Sequence, residues 1–232
     1  MVYAGIEVGP RYAHLCVLEE VRAEEPPVRL HASFYEPGDP DEVAGAVGAL
    51  EEAVIAIDSP SSRPREGRET RVCDAELADR GVAPRLPLDS GMGLFEALAD
   101  RGRFHPGGAG PQGDVEDGAF GAGAVFETNV EAVFCALHER RVPARRHPLG
   151  VARRIEELED DHVEDGDAGL WARRIEEIEA AAAALCAHRF AVAHARWLGD
   201  PGEGVIVLPG SGPLGRFSTE GVVPAVERLP LR

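Results

Sequence analysis

Apolar residues form short continuous runs in the first part of this chain and recur at helical spacing in the last part. Residues 2–8 read as a buried strand, Gly9-Pro10 as a turn, and residues 14–18 as a second apolar run. A third run, 28–35, alternates in part and lies between Pro26-Pro27 and Pro37-Gly38. Three such runs with short links predict an antiparallel meander. Asp39-Pro40 supplies a cap and a first-turn proline for a short helix to about residue 50. Residues 53–57, Ala-Val-Ile-Ala-Ile, have the unbroken apolar pattern of a central strand buried on both faces.

The chain is then strongly charged over 63–80, with a helix predicted at 70–80 and another at 91–100. Residues 105–123 are rich in glycine, carry Pro106 and Pro111, and predict a long loop. A short strand at 124–126 leads to Asn129, which caps an amphipathic helix over 130–140; a second helix covers 151–159. Eight of the twelve residues 156–167 are acidic, which predicts a solvated loop without the glycine placement of an EF-hand. Trp171, Ile175, Ile178, Ala182 and Leu185 predict one long helix over about 168–198, stopped by Gly199, before a last strand at 205–208. The whole reads as a single α/β domain over 1–232: an antiparallel three-strand meander plus parallel strands in one mixed sheet, flanked by helices.

Composition narrows the class. A 44% hydrophobic and 28% charged chain of 232 residues can bury a full core. No stretch approaches the roughly 20 apolar residues that cross a bilayer. The N-terminus lacks the basic region and long apolar core of a signal peptide. No membrane partner is therefore expected, and the setting expected is cytoplasmic. Cys16, Cys73, Cys135 and Cys186 are far apart and form no CxxC pair, which fits reduced core thiols rather than a zinc site. The net charge of −17 argues against a uniformly phosphate-seeking surface. Lysine is absent, yet arginine clusters at 63, 65, 68 and 71 and again at 140, 141, 145, 146, 153 and 154. Such patches offer nucleic acid a local footing within a negative whole.

Four acids stand at the ends or entries of predicted elements: Glu7 and Asp58 after apolar runs, Glu127 after the run at 124–126, and Glu179 within the long helix. An acid at the tip of a buried strand is costly unless paired, protonated or bound to a cation. Convergence of all four would make a divalent-metal site. Glu176 lies one turn before Glu179 on a similar face; Glu179 is preferred as the inward acid because Ala180 and the small residues after it allow close packing on a sheet.

The element order, with acids ending the first and fourth strands, resembles the ribonuclease-H-like fold. More specifically, Gly5-Ile6-Glu7, Ile57-Asp58-Ser59-Pro60, Arg71-Val72-Cys73-Asp74, Phe126-Glu127, Gly150…Arg154…Leu158, Glu176-Glu177-Ile178-Glu179-Ala180 and residues 203–209 together resemble the predicted-nuclease family catalogued as domain of unknown function 429. That resemblance implies a metal-dependent nuclease. Glu7, Asp58, Glu127 and Glu179 would be its catalytic, metal-holding carboxylates, binding Mg2+ or Mn2+, with Arg71, Asp74 and Arg146 on the substrate side. Two other functions stay open at this point. One is an interaction protein that keeps the scaffold without chemistry. The other is an actin-like kinase or ATPase, for which Gly9-Pro10-Arg11-Tyr12 replaces the expected phosphate-cradling hairpin.

Overall fold

The computed structural model describes residues 1–21, 27–100, 105–106 and 123–218. Strands β1 (Val2–Val8), β2 (Ala13–Val21) and β3 (Arg29–Phe34) form the expected meander, each antiparallel to the next. Helix α1 (Pro40–Gly48) starts on a capping box in which Asp39 accepts from the Asp41 and Glu42 amides. Strand β4 (Ala53–Asp58) then enters the centre of the sheet, parallel to β1, with all six residues buried. Helices α2 (Val72–Asp79) and α3 (Asp89–Ala99) follow. The short strand β5 (His105–Pro106) lies parallel to β6 (Ala124–Thr128), which is in turn parallel to β4. Helices α4 (Val130–Leu137) and α5 (Pro148–Asp160), strand β7 (Val163–Glu164), helix α6 (Ile175–Ala191) and strands β8 (Ala195–Asp200) and β9 (Gly204–Pro209) complete the described chain.

The sheet order is β7-β3-β2-β1-β4-β6-β9-β8. A 3-2-1-4-6 centre with β2 antiparallel to its neighbours and β1, β4 and β6 parallel is the ribonuclease-H-like architecture expected above. Two apolar layers sandwich it. Ala4, Ile6, Val8, Ile55, Ile57 and Val125 face α1 and α3; Tyr3, Val54, Ala56 and Phe126 face the layer built on α4, α5 and α6. Period-two alternation along each strand produces this division.

Two expectations are corrected. The long helix does not run to residue 198: α6 ends at Ala191, Ala193 takes φ 56°, and Ala195–Asp200 pair with β9 as an edge strand. Its apolar residues fit helical spacing, and neither glycine nor proline marks the reversal at 191–195. The acidic run is not a loop throughout either. Helix α5 continues to Asp160, glutamate being a good helix former, and Val163–Glu164 pair with β3. Most of the glycine-rich stretch, residues 107–122, lies outside the described residues.

Candidate metal centre

Strand register decides which acids can meet. Glu7 of β1 lies directly beside Asp58 of β4. Both share the parity of Tyr3, Val54 and Ala56, so both face α6. Helix α6 comes unusually close to them. A Cβ on Gly5 would stand 2.0 Å from the Ala184 nitrogen and 2.1 Å from the Ala180 oxygen, so only glycine opposite an alanine-lined helix permits this contact. The approach brings Glu179, one residue before Ala180, to the tips of β1 and β4. All three acids are buried, the most exposed at 2%.

Two arginines stand among them. Arg85, from the loop between α2 and α3, pairs with Asp58 and has Nη2 3.6 Å from Glu7 Oε1. Arg145, from the loop between α4 and α5, donates from Nε to Glu179 Oε1 at 2.9 Å, binds the second Glu179 oxygen, and lies 3.5 Å from Glu176. The Asp58 Oδ1 atom accepts the Val130 amide at 3.1 Å, at the start of α4. Gly150 and Arg154 set the Arg145 loop. A side chain at Gly150 would collide with the Ala144 carbonyl, and Arg154 donates to the carbonyls of Pro143 and Gly150 at 2.9 Å each.

Fully ionised, three carboxylates against two guanidiniums leave one net negative charge, or two with Glu176. Glu7 Oε2 is buried and has no hydrogen-bond partner among the described residues. Burial therefore dominates the proton affinities. It pushes Glu7 up to about 7 against the pull of Arg85, Asp58 up to about 6 despite Arg85 and the Val130 amide, and Glu179 up to about 7 against Arg145.

Glu127 is not brought into this group. The β4–β6 register sets it beside Ile57, so it shares the parity of Val125 and points away from α6; Thr128 occupies the rung that would have met Asp58. The Arg71 guanidinium grips both Glu127 oxygens, at 2.6 and 2.7 Å, and both Asp74 oxygens, at 2.8 and 2.9 Å. Ser61 adds its amide and hydroxyl to Glu127. The family resemblance implies that Arg71 lines an approach for substrate, but Arg71 is 1% exposed and is taken up by these two acids. Glu203 holds this arginine's helix in place by accepting the Val72 amide at 2.8 Å.

Cys73, Asp74 and Glu127 are the group of three donor-bearing residues that lies within 4.8 Å among the described residues. Its chemistry does not suit a cation. Arg71 already occupies both oxygens of each acid with hydrogen bonds, and burial pushes the Cys73 thiol up to about 12, so it offers no thiolate. Glu7, Asp58 and Glu179 are spread more widely, around Arg85 and Arg145. They are hard oxygen donors, the kind a divalent ion prefers, and one of their buried oxygens, Glu7 Oε2, is unsatisfied among the described residues.

A cleft of about 370 Å³ opens on this centre, lined by Glu7, Arg11, Tyr12, His14, Arg145 and Arg146 among others. Arg146 is exposed at its rim beside Glu176. Arg85 and Ser61 carry no sequence signal that would have singled them out. Arg85 stands alone between Pro84 and Pro87, where nothing in the spacing marks it.

No family model matches the chain, and no curated protein matches it. Among solved structures, it is similar to RuvC from Thermus thermophilus at 16% identity, over 82% of this chain and 94% of that one, with a TM-score of 0.39. A second similarity is to T. thermophilus RuvC in complex with a Holliday junction substrate, at 18% identity over the same shares, with a TM-score of 0.34. The fold assignment rests on the strand order and register given above.

Proposed function

We propose that Glu7, Asp58 and Glu179 hold a divalent cation, Mg2+ or Mn2+, and that the protein is a metal-dependent nuclease. The observation that carries this reading is Glu7 Oε2, a buried carboxylate oxygen without a partner in a group of three acids served by two cations. When bound, such an ion polarises a phosphoryl oxygen and makes water a better nucleophile at neutral pH. The remaining roles belong to the chain. Arg85 and Arg145 come from loops and keep 29% and 34% of their side chains exposed, so both can turn from the acids toward a phosphodiester. A guanidinium fork matches phosphate oxygens. Arg11 and Arg146 flank the cleft for neighbouring phosphates, and Tyr12, 59% exposed, presents a ring on which a base can stack. The contact of α6 on Gly5 keeps Glu179 from drifting, which matters because a misplacement of about 1 Å costs on the order of a hundredfold in rate.

One observation favours a second reading. Arg85 and Arg145 already stand where a cation would, and as permanent counter-ions they would leave an interaction scaffold without chemistry. Incubation with single-stranded and branched DNA in Mn2+ separates the two. The nuclease reading expects cleavage abolished by EDTA and reduced about a hundredfold or more in Asp58→Asn. Equal products from wild type and Asp58→Asn would leave the scaffold reading.

A further inference from the structure

A second cavity, of about 440 Å³, shares no lining residue with the acidic centre and plays no part in the nuclease reading. Three arginines from different elements line it: Arg189 near the end of α6, Arg196 in β8, and Arg216 in the segment after β9. Against them stand Glu139 and Asp161, and Asp161 is already paired with Arg189. The lining thus carries a net positive charge in a chain of net charge −17.

Arg196 is the informative group. Its Nε is buried without a hydrogen-bond partner, and the guanidinium has no carboxylate within ion-pair distance among the described residues. The nearest acceptor contact is a long one, 3.5 Å from Nη1 to the Gly212 carbonyl. Burial lowers its proton affinity, and repulsion from nearby Arg80 adds to this, although Glu139 pulls the other way. A half-buried cation without an anion is costly. The Arg196 guanidinium lies over Gly210, where the missing side chain leaves room for it. A Cβ there would stand 3.0 Å from Nη2 and 3.2 Å from Cζ.

The loop Gly210-Ser211-Gly212 has φ values of 103° and 79° at its glycines, leaving its backbone open to close approach. Ser211 is exposed on the cavity and offers a hydroxyl. We propose that this cavity is a binding site for the phosphate group of a small phosphorylated molecule, held by Arg196, Arg189, Arg216 and the Gly210–Gly212 loop. A tetrahedral phosphate accepts from guanidiniums arriving from three sides, which a planar carboxylate does less well. The volume exceeds what a lone phosphate needs and falls in the range of small-ligand sites.

Calorimetric titration and thermal unfolding with inorganic phosphate and with AMP test this on the full chain. Wild type should bind AMP and gain thermal stability from it, and Arg196→Gln should bind about tenfold more weakly or not at all. Without ligand, Arg196→Gln should melt no lower than wild type, since no ion pair is lost; this keeps lost binding distinct from lost fold. Binding that is absent for both probes, or unchanged in Arg196→Gln, would overturn the site. So would binding of an oligonucleotide at Arg196 with no binding of AMP. Because Arg196 is remote from the acids, loss of phosphate binding should leave any Mn2+-dependent cleavage intact, which separates the two proposals.

Discussion

A methyl group added at Gly5 would meet the backbone of α6 rather than a yielding side chain. Ordinary contact begins at 3.4 Å, and the new Cβ would lie 2.0 Å from the Ala184 nitrogen, so 3.4 − 2.0 leaves ~1.4 Å for helix and strand to separate. The whole helix must shift, because Ala180, Ala183 and Ala184 all crowd the same point. Overpacking of this kind costs typically 1–3 kcal/mol, and with backbone on the receiving side the upper end, ~3 kcal/mol, is expected. For a chain of this size that corresponds to a melting temperature lower by ~6–12 °C. Urea unfolding of Gly5→Ala should show the loss as a lower midpoint at unchanged slope. Gly93→Ala is the control. It lies in α3 with nothing within 4 Å of its Cβ, so it should gain ~0.5–1 kcal/mol from helix propensity. A Gly5→Ala protein as stable as wild type would refute the claim that bare backbone contact sets the position of Glu179.

Two further substitutions probe the buried charges. Glu7 is raised from 4.5 to about 7, so the folded chain holds this proton more tightly than the unfolded one. Its contribution is full below pH 4.5 and lost as the pH rises through about 7. Above that, ionisation costs up to ~3 kcal/mol, at about 1.36 kcal/mol per pH unit. In EDTA, Glu7→Gln should therefore melt above wild type at pH 8 and converge with it near pH 4; a lower melting point at pH 8 would contradict this. Arg71→Ala strands Glu127 and Asp74 without their shared cation and should cost ~3–5 kcal/mol, read by urea unfolding. A loss under 1 kcal/mol would show the network to be dispensable.

Much of the centre was legible in the chain because apolar runs ending in an acid announce themselves. Residues 2–7 and 53–58 do so, and the small residues after Glu179 marked the side of α6 that packs. Glu127 shows where this logic stops. It ends an apolar run as well, but one position of register turns it to the opposite face, and register is set by partner strands that a single segment does not reveal. The two arginines among the acids were hidden for a related reason. Arg145 was one of a cluster and Arg85 one of many isolated basic residues, and only the fold of the loops brings either inward. The edge strand at Ala195–Asp200 was masked by apolar residues that fit a helix equally well.

The most direct measurement is calorimetric titration of Mn2+ into wild type, Asp58→Asn and Arg145→Gln in metal-stripped buffer. The account predicts saturable binding by wild type, its loss in Asp58→Asn, and tighter binding by Arg145→Gln, where a competing cation has been removed. Absence of binding in all three, or equal affinity in wild type and Asp58→Asn, would contradict it.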